Sequence, residues 1–170
     1  TVPLGEIKKY QDECWALFKP EQKLQATSRE DVLYPLVRII RPRVVVETGC
    51  ASGGSAAFLL AAIKQNRFGK LISIDLPAEE VTQMEHLGIR RSDIGALIPA
   101  SLKDHWDLIV GDSRVFLPKV LAEQSADIFI HDSLHTTTHQ VFEYEVARSL
   151  MEENSIIASD DIRWNKGFAS

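Results

Sequence analysis

Apolar positions follow two rhythms along this chain, short β-branched runs and longer stretches of helical period. From Leu4 to Leu24, Ile7, Tyr10, Cys14, Leu17 and Phe18 recur at helical spacing until Pro20 interrupts them, which predicts a lid or packing helix. Thr27-Ser28-Arg29-Glu30-Asp31 reads as a capped helix start, with Val32, Leu33, Leu36, Val37 and Ile40 on one face and Pro42 as the stop. Val44-Val45-Val46 is the first strand, and the small-residue turn after it leads into an Ala/Leu-rich helix from Ser55 through Ile63. Lys70–Asp75, Trp106–Gly111, Ala126–His131 and Ser155–Ser159 are four further strands. Asp112-Ser113 starts a helix carrying Val115, Phe116, Leu117, Val120 and Leu121, in which Pro118 permits only a short first segment or a kink. Another helix runs from about Thr138 to Glu152, with Phe142, Val146 and Leu150 at i, i+4, i+8. Between Ala78 and Ser101 the pattern supports only a short helix through Val81, Met84 and Leu87, because Gly88, Gly95 and Pro99 break anything longer.

Strands that are nearly continuous apolar runs, alternating with helices, imply an α/β fold whose mainly parallel sheet is covered by helices on both faces. Ligands of such sheets bind beyond the carboxyl ends of the strands, at a topological switch point. This chain places Glu47, Asp75, Gly111-Asp112, Asp132 and Asp160-Asp161 at those ends. One rim of the sheet is therefore acidic.

Composition narrows the picture without redirecting it. The 170 residues suit one domain with a proper core, residues 1–26 forming an N-terminal helical segment and 27–170 the core. A net charge of −5 gives no electrostatic footprint for nucleic acid, and the short basic clusters Arg38, Arg41, Arg43 and Arg90, Arg91 read as solvated faces. Cys14 and Cys50 suggest neither a disulfide scaffold nor a zinc site, so a reduced, cytoplasmic setting is expected. No apolar run is long enough for a membrane span. A small-molecule substrate is the expected partner, with no nucleic acid and no membrane; a homo-oligomer stays open.

The candidate chemistry centres on the turn Glu47-Thr48-Gly49-Cys50-Ala51-Ser52-Gly53-Gly54-Ser55. Glycines there let the backbone turn tightly and approach a ligand, and the free N–H groups of the following helix face the turn. A dinucleotide fingerprint requires glycine at position 51, which is Ala. An NAD-dependent oxidoreductase is thereby the weaker reading.

The spacing Glu47-x-Gly49-x-x-x-Gly53 resembles the first motif of the class I S-adenosylmethionine-dependent methyltransferases, and the resemblance extends from about Thr27 to Phe168. Phe129-Ile130-His131-Asp132-Ser133-Leu134-His135 and Ser159-Asp160-Asp161-Ile162-Arg163-Trp164-Asn165 are similar to the strand ends of the magnesium-dependent O-methyltransferases. The resemblance implies a Rossmann-like doubly wound fold, here apparently without the usual C-terminal antiparallel strand pair. It implies that Gly49, Ser52, Gly53 and Ser55 line the methionine and ribose portion of S-adenosylmethionine, that Glu47 helps hold its ammonium, that Asp75 accepts the ribose hydroxyls, and that Asp112 and Ser113 meet the adenine. It further implies a Mg2+ site at Asp132, Asp160 and Asp161, three hard oxygen donors on adjacent strand ends.

His135 stands three residues after Asp132 where related enzymes carry a lysine base, and an imidazole there can take a proton from a substrate hydroxyl. Asp132 and His135 are the candidate catalytic pair, although His131 and His139 are close in sequence. The implied reaction is methyl transfer to a hydroxyl oxygen of a small molecule, with residues such as Trp15 or Trp164 excluding water. The chief alternative is a non-catalytic S-adenosylmethionine-binding module. Plainer roles stand beside each assignment: Asp75 as a strand-end cap, Asp112 as an N-cap, and the Asp132, Asp160 and Asp161 carboxylates as helix caps or partners of Arg163.

Overall fold

The computed structural model describes residues 3–17, 30–80, 89–163 and 167–169. Its elements follow the two rhythms of the sequence: helices α1 (Leu4–Leu17) and α2 (Glu30–Ile40), then β1 (Val44–Thr48), α3 (Gly54–Asn66), β2 (Lys70–Asp75), β3 (Trp106–Val110), α4 (Ser113–Glu123), β4 (Ile128–His131), α5 (Thr137–Leu150) and β5 (Ile156–Ser159). The five strands form one sheet in the order β3-β2-β1-β4-β5, and every neighbouring pair is parallel. The strand order reverses between β1 and β4, which makes their carboxyl ends the switch point.

Alternation along β1 shows how the sheet is covered. Val45 faces one core with Tyr34 and Val37 of α2, Phe58, Leu59 and Leu60 of α3 and Cys14 of α1. Val44 and Val46 face the other, with Leu117, Val120 and Leu121 of α4 and Ala147 of α5. Both faces are apolar, as continuous apolar strands require. The α1 helix packs on the outer side of α2, where Tyr34 donates to Glu13 Oε1 at 2.6 Å and Arg38 Nε lies 3.1 Å from the same oxygen. It serves there as a packing helix.

One sequence expectation is altered, and two others fall outside the described residues. The α4 helix continues through Pro118 as one element. Pro118 is its sixth residue, so its missing N–H forgoes the bond to the carbonyl of Arg114 in the first turn. The segment after β2 contains three 3-10 turns, Ala78–Glu80, Arg91–Asp93 and Ala100–His105, and buries Ile94, Ile98 and Leu102 in the α3-side core. The helix expected through Val81, Met84 and Leu87 lies outside the described residues, as does the expected cap at Thr27. Among the described residues no helix is long and apolar enough to cross a membrane.

Candidate functional site

At the end of β1 the chain must turn sharply and pass close to two other segments. Gly49 has φ +84, and a Cβ there would stand 2.0 Å from the backbone oxygen of Asp132. Gly53 has φ +92, and its Cβ would meet the Ile98 side chain at 2.6 Å and the Gly95 Cα at 3.0 Å. Both positions thus need glycine for backbone approach as well as for the left-handed turn. The segment that packs on Gly53 also locks the turn, since the N–H groups of Gly95 and Leu97 donate to the carbonyls of Ala51 at 2.9 Å and Ser52 at 2.8 Å.

Glu47 lies beneath this turn, fully buried. Ser73 Oγ donates to its Oε1 at 2.6 Å, Ser55 Oγ donates to Oε2 at 3.1 Å, and Trp106 Nε1 donates to Ser73 Oγ at 2.7 Å. Desolvation pushes its carboxyl up to about 7 against the opposing pull of the two serines. A side chain with no exposed surface supports the turn from below, and any hold it has on a ligand ammonium runs through the groups around it. Ser55, expected to line the cofactor, is committed to Glu47 in the same way.

Asp75, at the end of β2, accepts from the Ala51 N–H at 2.5 Å. Ala51 is a non-glycine residue at φ 45, so the carboxylate holds the strained point of the turn. Burial raises the Asp75 pKa, with the backbone donors of Ala51, Cys50 and Leu76 opposing. Asp112 caps α4 by accepting from the Arg114 N–H at 2.8 Å and pairs with the Arg114 guanidinium at 2.6 Å, which holds its carboxyl below the usual range. Ser113 Oγ lies 3.1 Å from His139 Nε2. These two residues sit at the end of β3 as expected, but their side chains are engaged with the protein.

Across the switch point, His135 Nε2 lies 3.6 Å from Asp132 Oδ1 and 3.6 Å from Asp161 Oδ2. Asp160 joins them at the end of β5, its backbone N–H donating to the His131 carbonyl at 3.0 Å and its Oδ1 accepting from the Asp161 N–H at 2.8 Å. Burial lowers the His135 pKa, helped by His131 and resisted by Asp161, Asp160 and Glu143. The structure therefore brings together the residues expected at this rim. Their chemistry suits a hard cation, yet among the described residues no group of three or more His, Cys, Asp or Glu side chains is arranged to hold a metal ion. The Mg2+ expectation therefore rests on the chemistry of these donors alone. Of the two tryptophans expected to exclude water, Trp15 is half exposed on α1 and Trp164 lies outside the described residues.

Sequence reasoning missed the most heavily bonded group of the region. Glu143 of α5 is fully buried and accepts four hydrogen bonds. Thr48 Oγ1 donates at 2.7 Å and Ser133 Oγ at 3.0 Å; His131 Nδ1 lies 2.6 Å away and His139 Nε2 2.8 Å. The two histidines and their hydrogen bonds hold its carboxyl far below the usual carboxylate range, overriding desolvation. The signal available in the sequence was the i, i+4 spacing of His139 and Glu143, which places both on one face of α5.

Comparison with known proteins bears on the family and the fold. Residues 46–162 match the model of the family described as "Methyltransferase domain", which is more than half of the chain. The chain belongs to that family. No curated protein matches it. Among solved structures it is similar to the methyltransferase PaMTH1 of Podospora anserina bound to S-adenosylhomocysteine (SAH), at 15% identity and a TM-score of 0.64, covering 95% of this chain and 63% of that one. It is similar to the O-methyltransferase of Bacillus cereus in complex with SAH, at 18% identity and 0.61, covering 98% and 70%. It is also similar to the O-methyltransferase TomG of Streptomyces achromogenes in complex with S-adenosylmethionine, at 17% and 0.60, covering 99% and 74%. The fold is the Rossmann-like one of the class I methyltransferases, and the chain spans less than two thirds of the first of these three.

Proposed function

We propose that this chain binds S-adenosylmethionine at the β1 turn and transfers its methyl group to a hydroxyl oxygen of a small molecule, with His135 as the general base. The observation that carries the base assignment is the His135 imidazole, partly exposed and flanked at Nε2 by Asp132 and Asp161. Its lowered pKa favours the neutral form near pH 7, ready to accept a proton. The substrate oxygen attacks the sulfonium methyl in line with the departing sulfur; the O–C bond forms as the C–S bond breaks, the hydroxyl proton passes to the imidazole, and the two carboxylates stabilise the imidazolium. Positioning supplies the remainder of the rate. The S-adenosyl ligands named in the solved relatives support the choice of cofactor.

Divalent-metal assistance is the finer part of this reading and rests on donor chemistry alone, so no step is drawn through it. Asp160→Asn combined with Asp161→Asn abolishes a magnesium dependence while sparing SAH affinity if the cation works here; an unchanged magnesium titration of turnover removes the metal assignment.

A non-catalytic S-adenosylmethionine-binding module is the second reading, since it needs only the turn built on Gly49 and Gly53 with Glu47 and Asp75 bonded beneath it. Calorimetry with SAH, followed by turnover across hydroxylated acceptors with magnesium and with EDTA, separates the two. SAH binding with no transfer under either condition selects the binding module. Binding of NADH in place of SAH overturns both.

A further inference from the structure

The Glu143 carboxylate has about four acceptor positions, and all four are filled by groups from three different places. Thr48 ends β1, immediately before Gly49. His131 ends β4, and Ser133 follows it by two residues. His139 belongs to α5 and reaches on to Ser113, the first residue of α4, at 3.1 Å. The arrangement therefore ties the strand that carries the cofactor turn to the strand that carries Asp132 and His135. It does so where the two backbones come closest, since Gly49 has no room for a Cβ against the Asp132 carbonyl.

An ionised carboxylate only accepts, so every nitrogen that bonds it must carry the hydrogen. This puts a hydrogen on His131 Nδ1 and on His139 Nε2, opposite ring nitrogens set by one anion. It also makes Ser113 Oγ an acceptor of the same His139 hydrogen. The His131 Nε2 is then left inside the protein, on a side chain with no exposed surface and without a hydrogen-bonding partner among the described residues. Its ring packs edge-on against His135, with centroids 5.5 Å apart and planes at 86°.

We propose that Glu143 is a positioning residue of the transfer site, a buried anionic staple that sets hydrogens on opposite ring nitrogens of His131 and His139 and thereby holds the cofactor turn after Thr48 in register with the Asp132–His135 rim. It touches neither substrate nor cofactor and acts through Thr48, His131 and Ser133. The proposal rests on the cofactor reading given above.

Nitrogen-15 NMR of histidine-labelled protein without ligand reads the staple directly, and calorimetry with SAH reads its consequence. In the wild type, His131 is expected protonated at Nδ1 and His139 at Nε2. Glu143→Gln keeps the volume but leaves one carbonyl oxygen and places an amide N–H before the other histidine, so one of the two histidine signatures is lost and SAH binds about tenfold more weakly, the loss expected for a charge-assisted hydrogen bond. Thr48→Val removes one donor and leaves the anion and both histidine bonds intact, serving if Glu143→Gln does not fold. Its histidine signatures persist while SAH affinity falls about threefold, as for one neutral hydrogen bond. The proposal is overturned if the wild-type His131 Nδ1 or His139 Nε2 lacks its hydrogen, or if the folded variants bind SAH as the wild type does. A wild type that binds no SAH rejects the proposed function instead, and the histidine spectrum still decides the staple.

Discussion

At the scale of single residues, the acidic rim divides into carboxylates that hold the protein and those that gather around His135. Glu47, Asp75 and Asp112 are bonded to Ser73, Ala51 and Arg114 respectively. Asp132 and Asp161 instead converge on His135. His135→Ala is therefore expected to lower the methyl-transfer rate about 10²- to 10⁴-fold, the range of a positioned base, with SAH affinity intact by calorimetry; an undiminished rate removes His135 as the base. The sequence made these positions legible because each acid stands at a strand end, where topology alone brings it to the rim. It could not separate supporting from reacting roles, because that depends on hydrogen-bond partners such as Ser73, Ser55 and the Ala51 N–H, drawn from other elements. Glu143 stayed hidden for a related reason. A lone Glu inside an amphipathic helix is ordinarily a solvated residue, and only the fold sets it against Thr48 and His131.

At the scale of elements, apolar periodicity located all five strands, and β2 coincides with the expected Lys70–Asp75. What the pattern could not provide was the segment between β2 and β3. Its Ile94, Ile98 and Leu102 stand at i, i+4, i+8, but Gly95 and Pro99 break the helix that spacing would otherwise predict, and the three are ordered by packing in the α3-side core. The turn is consequently fixed from two sides, by the Gly95 and Leu97 N–H groups above and by the Asp132 carbonyl beside Gly49. Gly49→Ala tests the second side. The new Cβ would have to displace the Asp132 backbone and also tolerate φ +84, so the variant is expected to lose about 2–4 kcal/mol of stability from overpacking and left-handed strain combined. Denaturant unfolding measures this; a loss below about 1 kcal/mol, the scale of an ordinary substitution, would show that β1 and β4 can separate at the switch point without cost.

At the scale of the whole molecule, two buried carboxylates at the β1 end pull the pH dependence of stability in opposite directions. Desolvation would raise Glu143, but His131 and His139 outweigh it and depress the carboxyl, so its contribution is complete above the unfolded carboxylate range and is lost as pH falls into strong acid. Glu47 is raised by desolvation from 4.5 to about 7. An acid whose folded pKa is raised binds its proton more tightly in the folded state, so its contribution is fully present below the unfolded value and declines as pH rises through the folded one. The window is therefore about pH 4.5 to 7, and a shift of this size corresponds to something on the order of 3 kcal/mol. The charged Glu47 that remains at higher pH keeps its bonds from Ser73 and Ser55, which tempers the loss without reversing its sign. Glu47→Gln retains the side-chain shape and cannot ionise. Urea unfolding at several pH values is thus expected to show wild-type stability falling relative to the variant between pH 4.5 and 7, with the difference level above about pH 8. Parallel curves across that window would mean that the carboxylate under the turn is as well solvated in the folded chain as in the unfolded one, and the burial that gives Glu47 its supporting role would be wrong.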